Sequence, residues 1–188
     1  LFQLFAAAPH RPTKDVDLLG RGAPDIPRMQ KIMQRICGQE VADDGIEFDA
    51  NSVTVARIKE ADEYSGLRVN IDGRLGTAHL RLQIDIGFGD AISPRPTLKS
   101  LPCLLDLPAP RMRVYAWETV VAEKFQALVE LGMTNSRMKD FFDLAYLAVE
   151  FEFDGARLAK AIESTFKRRQ TELPAARPAG LSPEFTED

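Results

Sequence analysis

Asp15 and Asp17 stand two positions apart in Lys14-Asp15-Val16-Asp17-Leu18-Leu19, where alternation predicts a strand over residues 14–19. Strand side chains alternate between faces, so both carboxylates project the same way from Cα atoms about 7 Å apart. Paired carboxylates repel and need a cation, a hydrogen-bond network or full solvation. Val16 and Leu18 on the other face argue for a packed strand, which favours a cation. Hard oxygen donors suit Mg²⁺, which keeps positions open for phosphates. A solvated pair on an exposed strand face is the alternative reading of this common motif. A third carboxylate, Asp85, lies in Leu80-Arg81-Leu82-Gln83-Ile84-Asp85-Ile86-Gly87, with Leu80, Leu82, Ile84 and Ile86 on the opposite face. Should the two strands pair, three carboxylates converge. Two divalent ions about 4 Å apart use such a set to activate a hydroxyl and stabilise a leaving pyrophosphate. An outward-facing strand aspartate is again the alternative. Asp90 reads as a turn residue.

Lys124 sits among Val120, Val121, Ala127, Leu128 and Leu131 at helical neighbour spacings. A lysine in an apolar row either snorkels to water or meets an anion. A triphosphate is a suitable anion, because Lys acts there as a point charge. The next helix opens with Arg137-Met138-Lys139-Asp140-Phe141-Phe142-Asp143. Asp140 and Asp143 belong either to a site or to an ordinary helix start, where an Arg137–Asp140 pair and the helix dipole favour them.

The elements that must position these groups follow from periodicity. An opening helix ends at Pro9. Asp25-Ile26-Pro27 starts a helix that runs to Cys37 and stops at Gly38. Residues 43–51 form a turn-rich connection. Residues 52–59 alternate like a strand, as do the segments around Leu67, Val69 and Ile71 and around Leu80 to Ile86. Pro94, Pro96, Pro102, Pro108 and Pro110 predict extended loop without regular structure. The period then lengthens to about 3.6, giving helices over 117–131, over 137–150 with Asn135-Ser136 as the cap, and over 155–169. Residues after Thr171 are proline-rich and read as irregular. Three consecutive strands with short connections imply an antiparallel or mixed sheet, not a doubly wound one.

The 188 residues allow one domain with an appendage, at a charge of −4 with 45% hydrophobic residues. That balance excludes a generally basic nucleic-acid coat protein but not a local basic site. Arg111, Arg113, Lys167, Arg168 and Arg169 either form such a surface or are scattered and solvated. No apolar run approaches the roughly 20 residues of a membrane span. Cys37 and Cys103 are far apart and read as two buried thiols in a reducing cytosol, and His10 and His79 lack a second ligand nearby. The first residues have no charged n-region and do not read as a signal peptide, and the sequence contains no G-x-S-x-G, no Walker loop and no G-x-G-x-x-G.

Four segments, in order, resemble the AbiEii/AbiGii toxin-type nucleotidyltransferases of the DNA polymerase β-like superfamily. They are His10-Arg11-Pro12-Thr13-Lys14-Asp15-Val16-Asp17-Leu18-Leu19, Gln83-Ile84-Asp85-Ile86-Gly87-Phe88-Gly89-Asp90, Glu118-Thr119-Val120-Val121-Ala122-Glu123-Lys124-Phe125-Gln126-Ala127-Leu128 and Ser136-Arg137-Met138-Lys139-Asp140-Phe141-Phe142-Asp143-Leu144. They cover most of residues 9–150, and Pro183-Glu184-Phe185 is similar to the family's C-terminal part. The resemblance implies an α+β fold: a polymerase β-like nucleotidyltransferase core with a mixed or antiparallel sheet over 1–110, a helical part over 111–170 and an irregular tail over 171–188.

The activity it implies is transfer of a nucleoside monophosphate from an NTP to an acceptor hydroxyl, with two Mg²⁺ ions, tRNA as a plausible acceptor and a cognate antitoxin as partner. Asp15, Asp17 and Asp85 would hold the metal, and Asp85 would also help activate the hydroxyl. Lys124 would contact the triphosphate, and Asp140 would contact nucleotide or orient Lys124. Thr13, Arg137 and Asp143 complete the nucleotide-binding set. A cytoplasmic protein is expected. The family carries a glycine-containing, phosphate-cradling helix start before the first aspartates, whereas no glycine precedes Gly20 here. The helix under way at Leu1 reads as the continuation of that element, with residues missing upstream. A catalytically incomplete binding protein of the same fold, and a nucleotidyltransferase acting on a small molecule or protein, are the alternatives.

Overall fold

The computed structural model describes residues 15–58, 66–89, 92–101, 103 and 106–186, with the side chains of Asp15 and Thr186 left aside. The opening helix, Thr13 and Asp90 lie outside the described residues. The chain divides into two compact units after residue 90.

The first unit is a mixed sheet covered on one face by a helix. Its elements are β1 (Asp15–Gly20), α1 (Ile26–Cys37), β2 (Ile46–Phe48), β3 (Thr54–Ile58), β4 (Gly66–Leu75) and β5 (Ala78–Phe88). The strand order is β1-β5-β4-β2, with β3 also paired to β4. Only β1–β5 is parallel; β4 meets β5, β3 and β2 antiparallel. The β4–β5 hairpin closes through Gly76-Thr77, and Gly76 adopts φ +58°, the backbone that a two-residue hairpin turn needs and glycine tolerates.

Period-2 alternation sorts the sheet's residues by face. Leu67, Val69, Ile71, Ile84, Ile86 and Phe88 are buried, with Leu18, Val55 and Leu82 packed beside them. Each large aliphatic side chain so buried contributes about 1.5–3 kcal/mol relative to exposure. Helix α1 covers this face with Ile26, Met29, Met33 and Cys37, one stripe at helical spacing. Its start is as expected: Asp25 caps it, Oδ1 accepting the Arg28 N–H at 2.7 Å, and Pro27 sits in the first turn.

Gly20 is required by packing. It lies opposite Phe88 in the register, and a Cβ there would fall 2.3 Å from Phe88 Cε1 and 2.6 Å from Cζ. The ring is buried in the core among Ile84, Ile86 and Leu67, so it must shift within packed surroundings. Gly20→Ala is therefore expected to cost about 1–3 kcal/mol by overpacking, read as a lower urea midpoint at unchanged slope.

The second unit holds β6 (Thr97–Ser100), β7 (Arg111–Val114), α2 (Trp117–Leu131), α3 (Met138–Glu150) and α4 (Gly155–Arg168). Strands β6 and β7 correct the expectation of a proline-rich loop without regular structure, because they pair antiparallel from Thr97↔Val114 to Ser100↔Arg111. The four residues of β6 fall in a proline-free window between Pro96 and Pro102, so every ladder N–H is available. The second correction is small: α3 begins at Met138 with Arg137 at its cap position. Asn135 acts one step earlier, its Oδ1 accepting the Arg137 N–H at 2.9 Å.

The three helices pack around α2. Val120 and Leu147 are buried with Trp117, Val121, Tyr146 and Phe151 against them, and Trp117 meets Phe151 at 4.9 Å between ring centroids. Fully buried Gln126 ties α2 to the end of α4: Arg169 Nη1 donates to its Oε1 at 2.9 Å, and its Nε2 donates to Thr171 Oγ1 at 2.7 Å. Arg169 is thus engaged internally, whereas Arg111, Arg113, Lys167 and Arg168 are exposed. The tail carries two short 3₁₀ turns, Ala179–Leu181 and Pro183–Thr186, and Phe185 stacks on Phe141 at 5.0 Å.

Both cysteines are free. Cys37 is half-buried, and burial pushes its thiol pKa up. Cys103 is exposed, which corrects the expectation of two buried thiols: it lies in the proline-rich segment outside either core.

Candidate active site

The parallel pairing of β1 and β5 sets the first group of candidate residues. Its register puts Asp17 directly opposite Asp85 and Asp15 opposite Gln83. Neighbouring strands lie about 4.8 Å apart, so Asp17 and Asp85 are adjacent on the sheet face away from α1. Like charges side by side on adjacent strands are destabilising, and compensation comes from the far side of β5. There Arg68 of β4 lies opposite Asp85. Its Nε donates to Oδ1 at 2.8 Å and its Nη2 to Oδ2 at 2.7 Å, a bidentate pair. The result is a row across three strands: Asp17, Asp85, Arg68.

Among the described residues no group of three or more ligating side chains stands together, and Asp17 and Asp85 are the two carboxylates here that could take part in holding a divalent cation. Carboxylate oxygens are what a hard ion takes, and two of them lie on adjacent, rigid strands. Arg68 offsets the charge of Asp85 in this row. Asp17 is exposed and Asp85 half-buried, so the row is open to solvent. Arg68 was not legible as part of it. Alternation with Leu67 and Val69 marks it as a polar-face residue, but only the β4–β5 register shows which residue it meets.

The second group lies in the other unit and draws on both α2 and α3. Lys124 of α2 pairs with Asp140 Oδ1 and, at 2.9 Å, with Asp143 Oδ2. Arg137 Nε lies 2.7 Å from Asp140 Oδ2, an ion pair without hydrogen-bond alignment. Asp143 is fully buried, Asp140 is 7% exposed and Lys124 17%. The anomalous lysine of the apolar row therefore meets anions rather than snorkelling, and Asp140 bonds across to α2 as well as to Arg137. Two positive and two negative charges balance. An ammonium has three N–H donors, and these carboxylates take two of them.

The structure thus brings Asp17 and Asp85 together, and Lys124, Arg137, Asp140 and Asp143 together, one group in each unit. The family model described as nucleotidyl transferase AbiEii toxin, type IV toxin–antitoxin system, matches residues 1–188. The chain belongs to the AbiEii family. The resemblance carried by the four segments is therefore borne out over the whole length. AbiEii proteins are, by that description, nucleotidyltransferases and toxins of type IV toxin–antitoxin systems. Among solved structures, the crystal structure of JHP933 from Helicobacter pylori is similar at 18% identity, with a TM-score of 0.47. The match covers 84% of this AbiEii chain and 63% of JHP933, so the chain spans less than two thirds of that neighbour's length. No curated protein matches. Among the described residues, no helix is long and apolar enough to cross a membrane.

Proposed function

We propose that the chain is a Mg²⁺-dependent nucleotidyltransferase that moves a nucleoside monophosphate from an NTP to a hydroxyl of RNA, tRNA being the favoured acceptor, and that it is the toxin of a toxin–antitoxin pair. Family membership and one observation support this reading: Asp17 and Asp85, far apart in sequence, are direct partners across a parallel strand pair. Asp15, Asp17 and Asp85 hold the metal and, through it, the nucleotide phosphates. Bound there, the divalent ions supply charge stabilisation for the attacking and leaving oxygens. Asp85, in addition, accepts the proton of the attacking hydroxyl as its oxygen bonds to the α-phosphorus. The bond from the α-phosphorus to the bridging oxygen breaks, and pyrophosphate leaves. In the other unit Lys124, held by Asp140 and Asp143, has an N–H left for an anion. Thr13 and Arg137 complete the nucleotide contacts. Phosphoryl-group chemistry needs positioning and electrostatics more than covalent participation, and groups held by strand pairing and by a buried ion-pair cluster supply both.

The test is incubation of the full chain with Mg²⁺, total RNA and each α-labelled NTP in turn. Label is expected in RNA, in a tRNA-sized band, with one NTP preferred. Label on a protein or small molecule instead would keep the chemistry and move the acceptor. No transfer and no Mg²⁺–NTP binding would leave a binding protein of the same fold.

A further inference from the structure

Arg68 has no place in the roles given above, yet it takes both oxygens of a carboxylate assigned to the metal. The guanidinium is planar and always charged, and its fork matches a carboxylate. It has two effects on Asp85. It fixes the plane of the carboxylate in the row that faces Asp17. It also occupies one lone pair on each oxygen and offsets the charge of Asp85 against any cation that approaches. Arg68 is 43% exposed on its side chain and Asp85 21%, so the pair lies where solvent and ions reach it.

We infer that Arg68 is a positioning residue that competes with divalent cation for Asp85, keeping the row weak for free metal while holding Asp85 aligned for the reaction. The inference rests on the metal role proposed for Asp17 and Asp85. It predicts two opposite effects of one substitution. Removing a unit positive charge a few ångströms from a dication strengthens binding on the order of tenfold at a partly solvated site. Losing alignment of a metal ligand lowers turnover by about 10–100-fold. Damage to the sheet would weaken both.

The experiment measures Mn²⁺ affinity without nucleotide, by calorimetry and by the electron paramagnetic resonance signal of free Mn²⁺, together with kcat and KM for the NTP. It uses the full chain as wild type, Arg68→Gln, Arg68→Lys and Asp17→Asn. Arg68→Gln is expected to bind Mn²⁺ about tenfold more tightly, with lower kcat and little change in KM. Arg68→Lys keeps the charge and should stay within about threefold of wild-type Mn²⁺ affinity while losing turnover. Arg68→Thr, a good strand former, repeats the test should glutamine disturb the sheet. Unchanged or weaker Mn²⁺ binding in folded Arg68→Gln and Arg68→Thr, with wild type binding and Asp17→Asn not, overturns this inference alone. A wild type that binds no Mn²⁺, with or without NTP, overturns the metal reading and this inference with it.

Discussion

Asp85→Asn is expected to abolish nucleotide transfer while leaving the protein folded. Asparagine keeps the shape and loses the charge proposed above to hold a cation and accept a proton. Transition-state stabilisation by bound metal is worth several kcal/mol, and each 1.36 kcal/mol is a factor of ten, so the expected fall in kcat is about a thousandfold or more. The structural consequence is small by contrast. The lost pair with Arg68 is partly exposed, and such pairs contribute about 0–1 kcal/mol. Initial rates with the preferred α-labelled NTP, beside a urea titration of the same sample, check both halves. An active Asp85→Asn variant would remove this residue from the chemistry.

Lys124→Met gives the reverse pattern: a large loss of stability. The substitution leaves Asp140 and Asp143 beside α2, one of them fully buried, without the lysine charge that pairs with both. Removing one partner of a buried ion pair costs about 3–5 kcal/mol, most of it the penalty of the orphaned charge. The slight exposure of Lys124 puts the expectation near the lower end, about 3 kcal/mol. The double variant Lys124→Met/Asp143→Asn should recover part of the loss, because it removes the most deeply buried charge along with its partner. Urea midpoints at pH 7 read the effect. A loss below about 1 kcal/mol would put the cluster in the class of exposed pairs. Because a fall in activity would accompany unfolding, the phosphate role proposed for Lys124 is better tested by Lys124→Arg, which keeps the charge.

Much of this arrangement was legible in the sequence, for identifiable reasons. The helices were marked by period and punctuation: Asp25 and Pro27 at the start of α1, Gly132 at the end of α2. The long strands were marked by alternation, as in Leu80 to Ile86. What could not be read was which strand lies beside which. Nothing local to Asp17 or Asp85 says that β1 and β5 are neighbours, or that they run parallel, because their pairing follows from packing Leu18, Ile84 and Ile86 against α1. Arg68 stayed hidden for the same reason. Short strands were lost to turn-forming or proline-rich surroundings: Ile46–Phe48 follows an Asp-Asp-Gly turn, and Thr97–Ser100 lies between prolines. Lys124 was conspicuous because an apolar row surrounds it, but its partners on α3 lie 16 and 19 positions away and are set by helix packing.

Nucleotidyl transfer is tested most directly by following the two ends of the same nucleotide. Parallel reactions contain the full chain, Mg²⁺, total RNA and the preferred NTP, labelled in one at the α-phosphate and in the other at the γ-phosphate. The expected result is α-label in RNA and γ-label in pyrophosphate, in equal amounts, with neither formed by Asp17→Asn or Asp85→Asn. γ-Label in the acceptor would mean phosphoryl rather than nucleotidyl transfer. Transfer that survives both substitutions would show that the row of carboxylates across β1 and β5 is not where the chemistry occurs.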